Sequence, residues 1–368
     1  MTNQASPIVL TLDAGGTNFV FSAMCEGQEL VQSLSLPAEG AHLERSLQNI
    51  IEGFSRVQAL LDRPAAAISF AFPGPADYPK GIIWNVGNLP AYRDGVALGP
   101  MLSEHFGLPC FINNDGDLYA YGESIAGLLP QINQELEQAG SPRRYKNLVG
   151  LTLGTGFGAG LVSDGRLFLG DNSVAAEVWL LRHFLDPALN AEEGVSIRAV
   201  QKAYAEQAGG DWTSGPSPKD IFEIGQGRMP GNQAAAIAAY ERLGKVLGEA
   251  IANLCNIADG LVVIGGGLSG AAPLFFPAML AQLRSRYSLN GQDRFGRIVQ
   301  EVYNLDDPTE RTAFLQAQAK TIQVPFSQRS VTYDAVPKIG IACSAMGTAK
   351  AVAIGAEAYA INKLILNL

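Results

Sequence analysis

Cysteine is scarce in this chain: four residues, Cys25, Cys110, Cys255 and Cys343, lie scattered over 368 positions. That spacing gives neither a disulfide framework nor a local zinc knuckle, so the thiols are expected to be reduced and mostly buried. Basic charge is also sparse. Lysine and arginine total 26 against 35 aspartates and glutamates, a formal charge of −9, and the one tight basic cluster is Arg143, Arg144 and Lys146. Three charges give little salt-dependent affinity for phosphate, so no nucleic-acid partner is expected and the cluster is assigned to a solvated loop. The N-terminal MTNQASPIVL lacks a basic region ahead of a long apolar stretch. It reads as neither signal peptide nor anchor, and a cytoplasmic location is expected. One uncharged window, Gly260 to Leu283, is long enough to span a membrane. It contains Gly265, Gly266, Gly267, Gly270, Pro273 and Pro277 and reads instead as strand, glycine turn and helix, so no membrane partner is expected.

What is present is a large core. With 47% hydrophobic and 17% charged residues, the chain is expected to bury one and to divide into two domains. The first elements are IVLTLD, ending at Asp13, the AGGTN turn, and a second apolar run, FVFSAM; this is strand, tight turn, strand. A helix is predicted around Ala41 to Leu61, then a buried strand in AAISFAFPGP and another in LPCFIN, which ends at Asn114 and Asp115. Leu118 to Ile125 begins a helix. From Asn147 the pattern restarts: NLVGLTLG, a TGFG turn, AGLVS, and a hairpin turn at Asp164-Gly165. A long helix follows over Asn232 to Ile257, then LVVIGGGLSG as strand, turn and helix start, and a last helix within Ala345 to Leu366. Leu129 to Tyr145 and roughly Asp293 to Val336 read as polar insertions without an assigned role.

The two glycine turns bear most of the functional argument. Glycines 15 and 16, and 154, 156 and 158, would let backbone N–H groups approach an anion closely, because a Cβ there would block the dihedral angles or the contact. Taken alone, either turn reads first as a structural hairpin; two of them opening two similar halves make the sharper observation. Because each is followed by another alternating strand rather than a helix, the dinucleotide-binding reading is disfavoured, and no Gly-Lys-Ser/Thr phosphate loop occurs.

Asp13-Ala-Gly-Gly-Thr17 and Leu153-Gly-Thr-Gly-Phe-Gly158 resemble the two phosphate loops of the actin, hexokinase and heat-shock-chaperone ATPases, and Val262 to Ser269 resembles their adenosine loop. Within that group the chain is similar to the ROK (repressor, ORF, kinase) sugar kinases. Pro73-Gly-Pro75, Asn88-Leu-Pro90, Asn114-Asp115, Glu177 and Asn256 to Gly267 follow that family's order and intervals. Each piece is weak; the combination, which spans the chain outside the two insertions, is specific. The resemblance implies an α/β, two-domain, actin-like (ribonuclease H-like) ATPase fold with an interdomain cleft. Residues 1–118 with the C-terminal helix 346–368 would form one domain and 119–345 the nucleotide-binding domain, with insertions near 129–145 and 293–336.

The resemblance also implies roles. Asp115 would be the general base that takes a proton from a sugar hydroxyl as its oxygen attacks the γ-phosphorus. Asp13 would hold Mg²⁺ through water, and Gly15, Gly16 and Thr17 would face the phosphates of ATP. Gly154, Thr155, Gly156 and Gly158 would form the other side of the clamp, with Gly266 and Gly267 against the nucleotide. Asn88, Asn114, Asp115, Glu177 and Glu192 would contact the sugar, and the protein would be a homodimer. From the residues alone, Asn114-Asp115 is also an ordinary turn or helix cap, and Glu177 reads as a sugar ligand with an ionised helix residue as the alternative.

The family pattern breaks in one place. ROK kinases usually carry Glu-x-Gly-His, then a cysteine-rich zinc loop, then Glu-x-x-x-Ser. Here the segment reads Glu177-Val178-Trp179-Leu180, with no cysteine between Cys110 and Cys255. A structural zinc needs about four thiolate or imidazole ligands, and this region offers only His183, so no zinc site is expected and His183 is read as a surface or packing residue. The run Val178 to Leu181 is expected to replace the missing brace by packing. The register recovers at Glu192-Glu193-Gly194-Val195-Ser196, with Glu192 in the sugar-contacting position and Glu193 as a one-residue-shift alternative. The expected function is an ATP-dependent kinase acting on a hydroxyl of a hexose or N-acetylhexosamine. The alternatives are a sugar-binding regulator that has lost catalysis and a phosphotransferase acting on an acetate-like or polyol acceptor. A DNA-binding repressor is disfavoured, because the first loop begins at Asp13.

Overall fold

The computed structural model describes residues 6–84, 86, 87 and 89–366. The chain packs into two compact units: Met1–Gly127 with Arg166–Ala175 and Met346–Leu368, and Leu128–Gly165 with Ala176–Ala345. The boundary expected after residue 118 would cut through the helix Asp115–Ala126. Asn88, expected at the sugar, and Asn85 lie outside the described residues.

In the first unit the alternating apolar residues of Val9–Ala14 and Asn18–Cys25 make an antiparallel hairpin, in register from Val9 opposite Met24 to Ala14 opposite Phe19. Val9–Ala14 then pairs in parallel with Ala67–Ala71, and that strand with Cys110–Asn113. Parallel pairing brings the C-terminal ends of the three strands to one edge. Asp13 lies level with Ala71, and Ala71 with Asn113; two strand spacings separate the outer pair, about 10 Å. Helix Leu43–Ala59 buries Ile50, Phe54 and Val57, with Phe54 edge-on to Phe21 and tilted against Phe70.

The helices Asp115–Ala126 and Thr348–Leu366 also pack on this sheet, Leu118 and Ala356 against Ala71, and Ala360 against Val9 and Ala67. They cross almost backbone to backbone. A Cβ on Gly122 would sit 1.9 Å from the Ala351 carbonyl oxygen, and one on Gly355 1.9 Å from that of Leu118. The first of these helices starts at Asp115, three residues earlier than the apolar pattern predicts, because the Asn114 side chain caps it by accepting from the Gly116 N–H at 2.8 Å.

The second unit opens as the first does. Leu148–Leu153 and Phe157–Ser163 form an antiparallel hairpin closed at Leu153 opposite Phe157, and parallel neighbours follow in the order Leu261–Gly265, Lys338–Cys343 and Glu301–Asn304. The helix Gln233–Ala258 buries its Ala- and Leu-spaced face and meets Ala272–Leu283 through Gly244 and Gly248. The window that raised the membrane question is thus strand and helix. Among the described residues no helix is long and apolar enough to cross a membrane.

Both stretches read as polar insertions contain built structure. Leu128–Gln138 is a helix that buries Leu128, Leu129, Ile132 and Leu136, a narrow stripe hidden among glutamines and glutamates. Glu301–Asn304 is an edge strand of the sheet with Val302 buried, and Pro308–Leu315 is a helix anchored by Phe314. Elements of four and eight residues are too short for hydrophobic periodicity to reveal. The rest forms two exposed hairpins, Arg286–Leu289 with Gln292–Gly296 and Ala319–Gln323 with Ser330–Asp334.

Gly355→Ala or Gly122→Ala should lower stability by about 1–3 kcal/mol, because rigid backbone rather than a movable side chain stands in the way. Gly270→Ala, where a Cβ meets nothing within 4 Å, should stay within about 0.5 kcal/mol of the parent. Denaturant midpoints at equal m-value would check both.

Candidate functional site

In the first unit the edge of the parallel strands gathers Asp13, the Gly15–Thr17 turn, Asn114 and Asp115. Asp13 is the fifth residue of its strand, and its side chain leaves the sheet facing solvent. The turn behind it is tight: a Cβ on Gly15 would come within 2.8 Å of the Asn18 carbonyl oxygen. Asp115 is the first residue of its helix, and its own carboxylate and the side-chain amide oxygen of the capping Asn114 both accept from the Gly116 N–H, at 2.9 and 2.8 Å. The cap reading of Asn114-Asp115 is therefore realised in the structure.

Both carboxylates reach solvent, yet surrounding protein strips part of their hydration. Lost hydration raises the pKa of Asp13 above the ordinary aspartate value. Asp115 is raised for the same leading reason; the backbone N–H groups of Gly116 and Asp115 draw it down, and the charge of Asp13 raises it further. An ionisable carboxylate held closer to neutrality, with a second negative group near enough to be felt, suits proton abstraction beside a bound cation.

In the second unit the Gly154–Phe157 turn and the Gly266–Gly267 turn leave neighbouring parallel strands at the same edge, since Gly265 lies level with Thr152. The first turn is closed by the Gly154 N–H to the Gly156 carbonyl at 3.0 Å, and the Gly154 carbonyl accepts from the Ile197 N–H at 2.9 Å. Gly266 adopts φ +88°, and a Cβ there would strike the Leu153 carbonyl oxygen at 2.3 Å; the fold itself demands a glycine. Gly154 and Gly267 differ. A Cβ at either would meet nothing within 4 Å, so packing does not require them to be glycine. Their bare backbone suits the close approach of a group from outside the chain.

Glu192 adjoins this loop. Its Oε2 accepts from the Phe157 N–H at 3.0 Å and its Oε1 from Arg198 Nη2 at 2.6 Å. Glu193 pairs with Arg198 and Lys202, which hold its carboxyl below the ordinary glutamate range. Arg198 was invisible to sequence reasoning because the pattern being followed stops at Ser196. Glu177 stands apart: it is exposed, and its carboxylate accepts from Trp179 Nε1.

The segment after Glu177 departs from expectation. Val178 is buried and Leu181 packs on the core, but Trp179 and Leu180 are 37% and 59% exposed, so the run does not act as a packed brace. His183 organises the segment instead. Buried to 1% exposure, its Nδ1 accepts from the N–H groups of Leu185 and Asp186 at 3.2 and 2.9 Å, and burial, then the Arg242 charge, lowers its pKa. A neutral ring with its acceptor turned to the backbone fixes the loop. Among the described residues no group of three or more His, Cys, Asp or Glu is placed to hold a metal ion.

A model described as the ROK family matches residues 9–183. The structure of a glucokinase from Parabacteroides distasonis ATCC 8503 is 48% identical in sequence and superposes with a TM-score of 0.89, covering 98% of this chain and 99% of that one. An N-acetyl-D-glucosamine kinase of Vibrio parahaemolyticus serotype O3:K6 is 28% identical over 275 residues, 70% of this chain and 83% of the relative. A ROK family glucokinase from Streptomyces griseus, solved with glucose and AMPPNP, shares the fold at a TM-score of 0.61 and 18% identity over 97% of this chain and 100% of that one.

The contrast between the two adjacent glycines is testable. Gly266→Ala should lower stability by more than about 1 kcal/mol through its left-handed backbone and the clash. Gly267→Ala should leave the unfolding transition in place while weakening nucleotide binding, read by calorimetric titration.

Proposed function

The chain belongs to the ROK family and is a sugar kinase, and from that premise we propose that Asp115 is the general base in transfer of the γ-phosphoryl of ATP to a hydroxyl of a hexose or N-acetylhexosamine. The observation that carries the assignment is the placement of Asp115: first in its helix, solvent-facing, raised in pKa, and at the strand edge that also bears Asp13. A carboxylate so placed accepts the hydroxyl proton as the sugar oxygen attacks phosphorus. Phosphoryl transfer otherwise asks for positioning and charge neutralisation, and the bare backbone at Gly154 and Gly267 supports that reading.

The residues present fit Mg²⁺. That ion keeps several waters and takes one or two carboxylates together with substrate phosphates; the solvent-facing Asp13 supplies such a carboxylate, and its charge adds to that of Asp115. When bound, the metal neutralises charge on the phosphates. On the sugar side the proposal assigns Asn114, Glu177 and Asn88. Glucose heads the list of acceptors, because the 48% identical relative is named glucokinase, and N-acetylglucosamine follows from the relative that bears its name. A homodimer belongs to the proposal on the family resemblance alone. A regulator without catalysis has less in its favour, since both Asp13 and Asp115 are kept.

An ADP-release assay with Mg-ATP against glucose, mannose, fructose, allose, N-acetylglucosamine and N-acetylmannosamine tests this reading. Turnover on at least one sugar is expected, with kcat falling by about 10²–10⁴ in Asp115→Asn; turnover that survives the substitution would remove Asp115 from the role of base. The pH dependence has a definite sign. Asp115 works only when ionised, and its pKa is raised, so kcat/KM should fall on acidification at a pH above the ordinary aspartate value of about 3.9.

A further inference from the structure

The side chains around the second glycine loop carry an assignment that rests on the sugar kinase reading and goes beyond it. Glu192 divides its carboxylate between the Phe157 N–H, at 3.0 Å, and Arg198 Nη2, at 2.6 Å. Arg198 Nη1 in turn donates to the Thr155 carbonyl at 3.4 Å. The loop is thus held on both sides of Gly156, by an acceptor for one peptide N–H and a donor for one peptide carbonyl. Both holders come from the segment 192–198, which is itself tied to the loop through the Ile197 N–H and the Gly154 carbonyl at 2.9 Å. The carboxylate lies hard against the loop: a Cβ on Gly156 would meet Glu192 Oε2 at 2.7 Å.

A carboxylate in that place would oppose any anion the loop accepts unless its charge were cancelled nearby. The cancellation is complete. Glu192 and Glu193 face Arg198 and Lys202, with Arg198 Nη2 2.8 Å from Glu193 Oε1 and Lys202 Nζ 3.0 Å from Glu193 Oε2. All four are half-buried or nearly so, where pairing counts for more than on an open surface.

We propose that Glu192 and Arg198 form a charge-neutral clamp that sets the Thr155–Phe157 loop for the phosphates of ATP, making both residues positioning residues for the nucleotide. Glu192 then serves the nucleotide loop beside any contact with the sugar that its place in the family pattern implies. Loss of Arg198 releases the Thr155 carbonyl and also leaves the Glu192 charge beside the phosphates. Loss of both charges together removes the second defect, so the two substitutions should not add.

The test is calorimetric titration of the full chain with AMPPNP in Mg²⁺ buffer without sugar, for the parent, Arg198→Gln, Arg198→Lys, Glu192→Gln and the Glu192→Gln/Arg198→Gln pair. Arg198→Gln should weaken AMPPNP by about 10-fold or more, Arg198→Lys by less, and the pair should bind more tightly than Arg198→Gln alone. In turnover, KM for ATP should rise in Arg198→Gln while KM for the sugar stays within about twofold. Parent-like AMPPNP binding by Arg198→Gln, additive losses in the pair, or an effect confined to the sugar KM overturns the clamp and leaves the kinase assignment standing. Failure of the parent to bind AMPPNP overturns both. Should Arg198→Gln not fold, Glu192→Gln decides: altered AMPPNP affinity with an unchanged sugar KM supports the clamp, and the reverse pattern defeats it.

Discussion

The close crossing of Asp115–Ala126 and Thr348–Leu366 governs the first unit. Two glycines, Gly122 and Gly355, let each helix press on a carbonyl of the other, and this contact fixes how the helix carrying Asp115 lies on the sheet, while the Asn114 cap sets where it begins. The sheet supplies the second constraint. Parallel pairing through Ala67–Ala71 sets Asp13 level with Asn113, so the carboxylate of one strand and the helix cap of another emerge at one edge. Neither arrangement leaves Asp115 free to slide along the helix axis, since a shift of one residue would also break the Asn114 cap.

The second unit repeats the strand, turn, strand opening and uses its glycines for two distinct purposes. At Gly266 and Gly156 the chain itself occupies the space a side chain would take. At Gly154 and Gly267 nothing of the chain is near. Separating the two kinds distinguishes glycines that the architecture demands from those whose smoothness is turned outward, a distinction that sequence alone cannot draw.

Much of this was legible beforehand. The two openings, the buried strands and the long helix announced themselves through alternation and spacing, and Asp13, Asn114 and Asp115 fell where strands end. Three features were not. The helix Leu128–Gln138 was hidden by a narrow apolar stripe, and the edge strand Glu301–Asn304 by its length. The Phe157–Glu192 and Thr155–Arg198 contacts join residues 35 and 43 positions apart, through a side chain pairing that no local pattern encodes. His183 was read as a surface or packing residue; it is buried, and its service to two backbone N–H groups depends on a ring orientation only the fold can set.

The first unit is discontinuous in sequence, and its covering helix, Thr348–Leu366, leaves the ribosome only after the whole of the second unit. Until it arrives, the sheet face formed by Val9, Ala67 and Ala71 and the glycine flank of Asp115–Ala126 have no partner. The second unit, by contrast, is complete in sequence from Leu128 to Ala345 apart from one short excursion. Synthesis therefore favours an order opposite to that of the chain: the later unit can close first, and the earlier one waits on that helix, exposing its unfinished face to chaperones or to neighbouring chains in the interval.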